Sequence, residues 1–242
     1  MRRSPGLGTL AGVKFVLVHG QPVGPATWRW VAEALTAAGH EVVVPDLREA
    51  AVSGHAAAIV REVVAACRSD TEVVACHSGA GLLLPTIAGL LSPQARPFLV
   101  FVDGAIPDCE GEARLDPAVV DLLRRLAVDG VLPPWSAWWG GQGGVAQAIP
   151  DPEMRAEVEA ELPDLPLALF EDSLPVPAGW CEWPFDYLLL SEDMQGEAER
   201  ARSLGWSVVE DVGNHMDVIN RADDVATHLV RIGSATAEQD PS

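Results

Sequence analysis

The stretch TEVVACHSGAGLLLPTIAGLL, residues 71–91, joins a β-branched apolar run to a serine among small residues, then to an apolar segment at helical spacing. The run up to Cys76 suits a strand buried on both faces. A serine at such a strand-to-helix junction stands exposed above the sheet, and small neighbours let the backbones approach without a Cβ collision. Cys76 and Ala80 occupy the places written as glycine in G-x-S-x-G, so the strict motif is absent while its size logic is largely kept. Cys76 is the larger departure. Pro85 lacks a backbone donor and belongs in an early turn of the helix or at a bend in it. Ser78 reads locally as a candidate nucleophile or as the cap of a helix.

On either side the same alternation continues. VKFVLV, residues 13–18, is a strand ending at His19-Gly20, and PATWRWVAEALTAAG is a helix with Pro25 in its first turn and Gly39 at its end. HEVVVPD is a strand stopped by Pro45, HAAAIVREVVAAC a helix, and PFLVFVDG a fourth strand with Asp103 at its C-terminal end. After residue 184 come FDYLLLSED as a strand, GEAERARSLG as a helix, WSVVEDVGNH as a final strand and loop, and DDVATHLVRIG as a closing helix. This order predicts an α/β fold with a mostly parallel sheet of about six strands flanked by helices. Residues 104–184 break the rhythm. One helix is expected from Asp116 to about Asp129 and another from Asp151 to about Glu161, around the aromatic and glycine-rich WSAWWGGQGG. The segment is too apolar for a linker and reads as a cap, 104–184, inserted into a core made of 1–103 and 185–242.

CHSGAG at 76–81, HG at 19–20 and GNHMD at 213–217, in that order along the chain, resemble the α/β-hydrolase superfamily, especially small capped esterases and hydroxynitrile-lyase-like members. Taken as a whole the chain also looks like small actinobacterial α/β-hydrolases, some associated with specialised metabolism. The resemblance covers roughly residues 13–232. It implies Ser78 as nucleophile, His215 as base, and the backbone N–H groups of Gln21 and Gly79 as donors to an oxyanion. For the acid it leaves two positions open. Asp193, in Ser191-Glu192-Asp193, resembles the segment after the penultimate strand in related esterases and is preferred, although the following helix begins almost at once. Asp103 resembles the position used after the preceding strand in haloalkane-dehalogenase-like members. Asp217 is a lesser alternative. His77 is expected to support the turn or line a pocket, and His19 to be structural. Trp28, beside Trp30, and Trp135, Trp138 and Trp139 of the insertion are expected around a substrate pocket or, equally, in the core of the cap.

A serine hydrolase acting on a small to medium, largely apolar ester or thioester through an acyl-Ser78 intermediate is therefore expected. A lyase or cyclase using Ser78 and His215 for proton transfer, and a non-catalytic small-molecule binder, are the alternatives. Sixteen Lys and Arg against thirty-five Asp and Glu give a net charge of −19, which opposes a phosphate-backbone binder and a strongly anionic ligand. No HExxH or acidic cluster has metal-ligand spacing, and GQGG at 141–144 does not join an early strand to its helix, so neither a metal nor a nucleotide cofactor is expected. The basic opening MRRSPGLGTLAG has no apolar h-region and FVLVHG is too short to span a bilayer, so neither a signal peptide nor a membrane span is expected. Cys67, Cys76, Cys109 and Cys181 have no paired short spacing, and a reduced, cytoplasmic protein is the simplest reading, as a monomer or homodimer.

Overall fold

A computed structural model describes residues 12–91, 97–138 and 144–234. Six strands form one sheet: β1 (Lys14–Val18), β2 (Glu41–Val43), β3 (Val73–His77), β4 (Phe98–Val102), β5 (Asp186–Leu189) and β6 (Ser207–Glu210). They lie in the order β6-β5-β4-β3-β1-β2, and every pairing is parallel. Their sequences explain this. VVACH of β3 is buried at every position, which only a sheet covered on both faces permits. Alternate residues feed two apolar layers. Val16, Val18, Val74, Cys76 and Phe101 join the cluster on one face, and Phe15, Leu17, Val73, Ala75 and Val100 join that on the other. Each fully buried Val, Leu or Phe contributes about 1.5–3 kcal/mol relative to an exposed one.

The chain runs from β1 outward to β2 and then crosses back to β3 on the other side of β1. That reversal opens a crevice at the C-terminal ends of β1 and β3, where open α/β sheets bind ligands. Gln21 follows β1 and Ser78 follows β3, so both stand at this crevice.

Helices Arg29–Ala37, Ala56–Ala66, Gln195–Ser203 and Ala222–Ser234 match the expected ones, with Gly39 at φ +93° ending the first. After β3 a 3₁₀ segment, Ser78–Leu83, leads into Leu84–Leu90, and Pro85 sits in the first turn of that helix. Asp116 and Asp151 cap Pro117–Leu126 and Pro152–Glu159 by accepting from Ala118 N and from Glu153 N and Met154 N. The first of these stops short of Asp129. Asp129 and Gly130 both take positive φ and Val128 pairs with Val131, so an Asp-Gly turn of the hairpin kind ends the helical run.

Between β4 and β5 the chain doubles back on itself. Glu112–Ala113 pairs antiparallel with Leu174–Pro175, and Val131–Leu132 with Leu165–Pro166, each pairing nested within the last. Just outside the outer pair, Cys109 is bonded to Cys181 across a sequence separation of 72. This corrects the expectation of reduced thiols for two of the four cysteines; Cys67 and Cys76 are free. Closing a loop of that length stabilises the fold by about 4 kcal/mol in the chain-entropy account. Leu123, Leu132, Leu165, Phe170 and Trp180 of this segment share one cluster with the sheet residues Val74 and Phe101. Among the described residues no helix is long and apolar enough to cross a membrane.

Candidate active site

The turn after β3 brings Ser78 to φ +59°, a left-handed conformation that costs energy for a residue with a Cβ. The surrounding backbone holds it there. Ala105 N donates to the Ser78 carbonyl at 3.2 Å. A Cβ on Gly104 would lie 3.2 Å from that same oxygen, and one on Gly81 would lie 2.5 Å from the Ala105 carbonyl oxygen. The elbow and the turn after β4 are therefore packed backbone on backbone, which is why small residues recur there. Gly81→Ala is expected to destabilise the protein by about 1–3 kcal/mol, read as a lower denaturation midpoint at unchanged m. Wild-type stability in that variant would show that the two turns are not in contact.

Ser78, His215 and Asp103 are joined by hydrogen bonds. His215 Nε2 lies 3.0 Å from Ser78 Oγ, and His215 Nδ1 lies 2.7 Å from Asp103 Oδ2. The ionised carboxylate only accepts, so Nδ1–H donates to it and Nε2 keeps a lone pair facing the serine hydroxyl. Asp103 is fully buried and follows β4 at φ +44°. Its Oδ1 accepts from Leu190 N at 2.7 Å and Ser191 N at 2.9 Å, and its Oδ2 accepts from Ser191 Oγ at 2.5 Å. Burial pushes the carboxyl up, but the bonds from His215, Ser191 and Leu190 outweigh it and hold Asp103 below its ordinary value of 3.8. Because the folded value is the lower one, its contribution to stability is present above that ordinary value and is lost as the pH falls through the folded one.

Asp193, the preferred acid of the sequence reading, lies exposed in the 3₁₀ turn Glu192–Met194, and its carboxylate accepts no hydrogen bond among the described residues. The carboxylate that meets His215 is Asp103. The chain turns into the helix at once after Ser191, so there is no loop to carry Asp193 back over the sheet. Asp217 is buried and engaged elsewhere. It accepts from Asn214 N at 2.8 Å and from Arg221 Nε at 2.9 Å, and Arg221 also reaches the side chain and carbonyl of Asp211. These bonds fasten the loop that carries His215. The Ser191 hydroxyl and Arg221 were given no role by the sequence, although the four-residue spacing of Asp217 and Arg221 was a usable signal for an ion pair.

Gln21 and Gly79 are neighbours: Gln21 Nε2 donates to the Gly79 carbonyl at 3.3 Å. Among the described residues, the Gln21 N–H donates to no protein acceptor, and the Gly79 N–H donates to none outside the 3₁₀ segment Ser78–Leu83. His19 is buried, with Nδ1 donating to the Gly20 carbonyl and Nε2 accepting from Leu47 N, which uses both nitrogens structurally.

The aromatic residues are redistributed. Trp28 and His77 are buried, at 0% and 2% exposure, and meet edge to face with ring centres 6.0 Å apart. Trp135 packs on the second apolar cluster. Trp138 donates its Nε1–H to the Pro133 carbonyl and meets Phe170 edge to face. Trp139 lies outside the described residues. A cavity of about 30 Å³, lined by Gln21, Leu82, Leu83, Leu169, Phe170 and Leu174, adjoins the elbow. A depression of about 890 Å³ is an open groove along Arg29–Ala37 and β2 and touches none of Ser78, His215 or Asp103. No group of three or more potential metal ligands occurs among the described residues.

No protein-family model matches the sequence, and no curated protein matches it. Solved structures do. An extracellular α/β-hydrolase from a Paenibacillus species superposes with TM-score 0.72 at 18% identity, over 92% of this chain and 99% of that one. Polyneuridine aldehyde esterase gives 0.66 at 18%, over 92% and 100%. Tomato methylketone synthase I, in a variant complexed with β-ketoheptanoate, gives 0.66 at 15%, over 96% and 99%. The chain has the α/β-hydrolase fold.

Proposed function

We propose that the protein is a serine hydrolase that cleaves a small, largely apolar carboxylic ester or thioester through an acyl-Ser78 intermediate. The observation that carries this reading is the continuous hydrogen-bonded path from Asp103 through His215 to Ser78. Ser78 Oγ attacks the substrate carbonyl carbon while His215 Nε2 takes the hydroxyl proton. The resulting imidazolium is stabilised by Asp103, whose charge also fixes the tautomer. The backbone N–H groups of Gln21 and Gly79 serve the oxyanion. As the tetrahedral intermediate collapses, His215 returns the proton to the leaving alcohol or thiol. Water, deprotonated by the same nitrogen, then attacks the acyl carbon and releases the acid and free Ser78.

Residues 104–184 act as a cap in this reading, because Leu169, Phe170 and Leu174 face Gln21 and Leu82 across the small cavity. The Cys109–Cys181 bond supports an oxidising compartment in place of the cytoplasmic one expected from sequence. No cofactor enters the mechanism.

Intact-protein mass measurement during turnover of an ester and thioester panel tests the reading. A mass gain equal to the acyl portion, mapped to the peptide that holds Ser78, is expected. Product accumulation at constant protein mass, with no trapped adduct, would transfer the protein to proton-transfer chemistry of the lyase kind. Tight ligand binding with neither product nor adduct would make it a binder.

A further inference from the structure

His77 immediately precedes Ser78, yet its ring is turned to His215. The two imidazoles stack with centres 4.7 Å apart and planes 29° apart. His77 Nε2 lies 3.0 Å from the backbone carbonyl oxygen of His215. A carbonyl can only accept, so Nε2 must carry the proton. Nδ1 of the same ring is buried and has no partner among the described residues. Placing a second proton there would leave a cation and an unpaired donor in the interior, which is costly. His77 is therefore the neutral tautomer with its proton on Nε2. Burial first, then the proximity of His215, push its pKa down to about 3. The same ring meets the fully buried Trp28 edge to face, with centres 6.0 Å apart.

We propose that His77 is a positioning residue for His215, holding its main chain through the Nε2–H donor and its ring through the stacked face. This rests on the reading of His215 as the base. His215 must span Ser78 Oγ at 3.0 Å and Asp103 Oδ2 at 2.7 Å at once, and both contacts depend on where its ring plane lies. Asp103 constrains one ring nitrogen and the Asp217–Arg221 pair fastens the loop, but neither supports the ring face. His77 does. When His215 takes the serine proton, its charge develops against a neutral π face, which attracts a cation. A ring that titrated near neutrality would repel it.

Four variants and one wild-type measurement test this. The rate of Ser78 labelling by a fluorophosphonate serves as the readout, since it requires a reactive serine but no knowledge of the substrate. His77→Phe keeps an aromatic face without the donor, and His77→Gln keeps an amide donor at the reach of Nε2. His77→Phe is expected to slow labelling by about 10-fold or more, and His77→Gln to recover most of that loss. In a His215→Ala background the same His77→Phe change should have no further effect, because a residue that acts through His215 loses its influence with it. A His77→Phe effect of equal size in both backgrounds, or an unchanged rate in the single variant, overturns the proposal. Failure of the wild type to label at all would instead overturn the reading on which it rests. Should His77→Phe fail to fold, ¹⁵N-resolved imidazole resonances of the wild type decide the matter. They are expected to give one protonated and one bare nitrogen for His77 throughout the range from about pH 5 to pH 9, with the proton on Nε2. A proton on Nδ1 would exclude the bond to the His215 carbonyl and with it the proposal.

Discussion

Ser78→Ala is expected to abolish fluorophosphonate labelling and to lower ester turnover by about 10³-fold or more while leaving the fold intact. The conformational cost of φ +59° is already met by the serine, and alanine carries the same Cβ, so the elbow is not made worse. The Ser78 carbonyl still accepts from Ala105 N. His215 loses its Nε2 partner, but its side chain is 32% exposed and water can replace the lost bond. What disappears is the attacking oxygen alone. Circular dichroism and thermal midpoint establish that the variant is folded. Equal turnover in folded wild type and variant would remove Ser78 from the mechanism.

The second large effect is expected at Asp103. Asp103→Asn should reduce kcat by about 10²- to 10⁴-fold with a smaller change in KM, while Asp193→Asn stays near wild type. The carboxylate accepts four hydrogen bonds, from Leu190 N, Ser191 N, Ser191 Oγ and His215 Nδ1. An amide has one acceptor oxygen. If that oxygen stays with the two backbone donors, the NH₂ group confronts His215 Nδ1–H, and the imidazole must shift its proton to Nε2. Nε2–H then faces Ser78 Oγ and cannot take its proton. Removing the charge also withdraws support from the imidazolium. Some loss of stability accompanies the change, so kcat is compared at a temperature where both variants are folded. A large loss at Asp193 with near-wild-type kcat at Asp103 would reverse the assignment.

The parts of this protein that were legible in its sequence are those set by local pattern. The β-branched runs gave the six strands, the glycines and prolines gave most helix ends, and small residues around Ser78 marked the elbow. The acid could not be chosen that way. Asp103 reaches His215 only because β4 lies beside β5, so that Leu190 and Ser191 fold over its carboxylate, and no spacing along the chain carries that information. Ser191-Glu192-Asp193 was read for its carboxylates, whereas it is the Ser191 hydroxyl that is used. The cysteine pair, 72 residues apart, had no short-range signature either. Tryptophans are ambiguous in principle, since a large ring suits a pocket wall and a core equally, and Trp28 proved to be core. The Asp129-Gly130 turn was legible and was overlooked, because helical propensity on its N-terminal side extended past it.

The hydrogen-bonded trio is unevenly distributed along the chain. Ser78 and Asp103 sit at the ends of adjacent strands β3 and β4, so they are brought side by side as soon as those strands pair, and Leu190 and Ser191 after β5 then hold the Asp103 carboxylate. His215 arrives from the loop after β6, at one edge of the sheet, fastened by contacts among Asp211, Asp217 and Arg221. During synthesis from the N-terminus, the serine and the carboxylate are thus built early and remain without a proton acceptor until the last strand and its loop dock. Under the proposed mechanism a chain that ends before His215 carries Ser78 without its base, and labelling of Ser78 reports that the loop after β6 has docked.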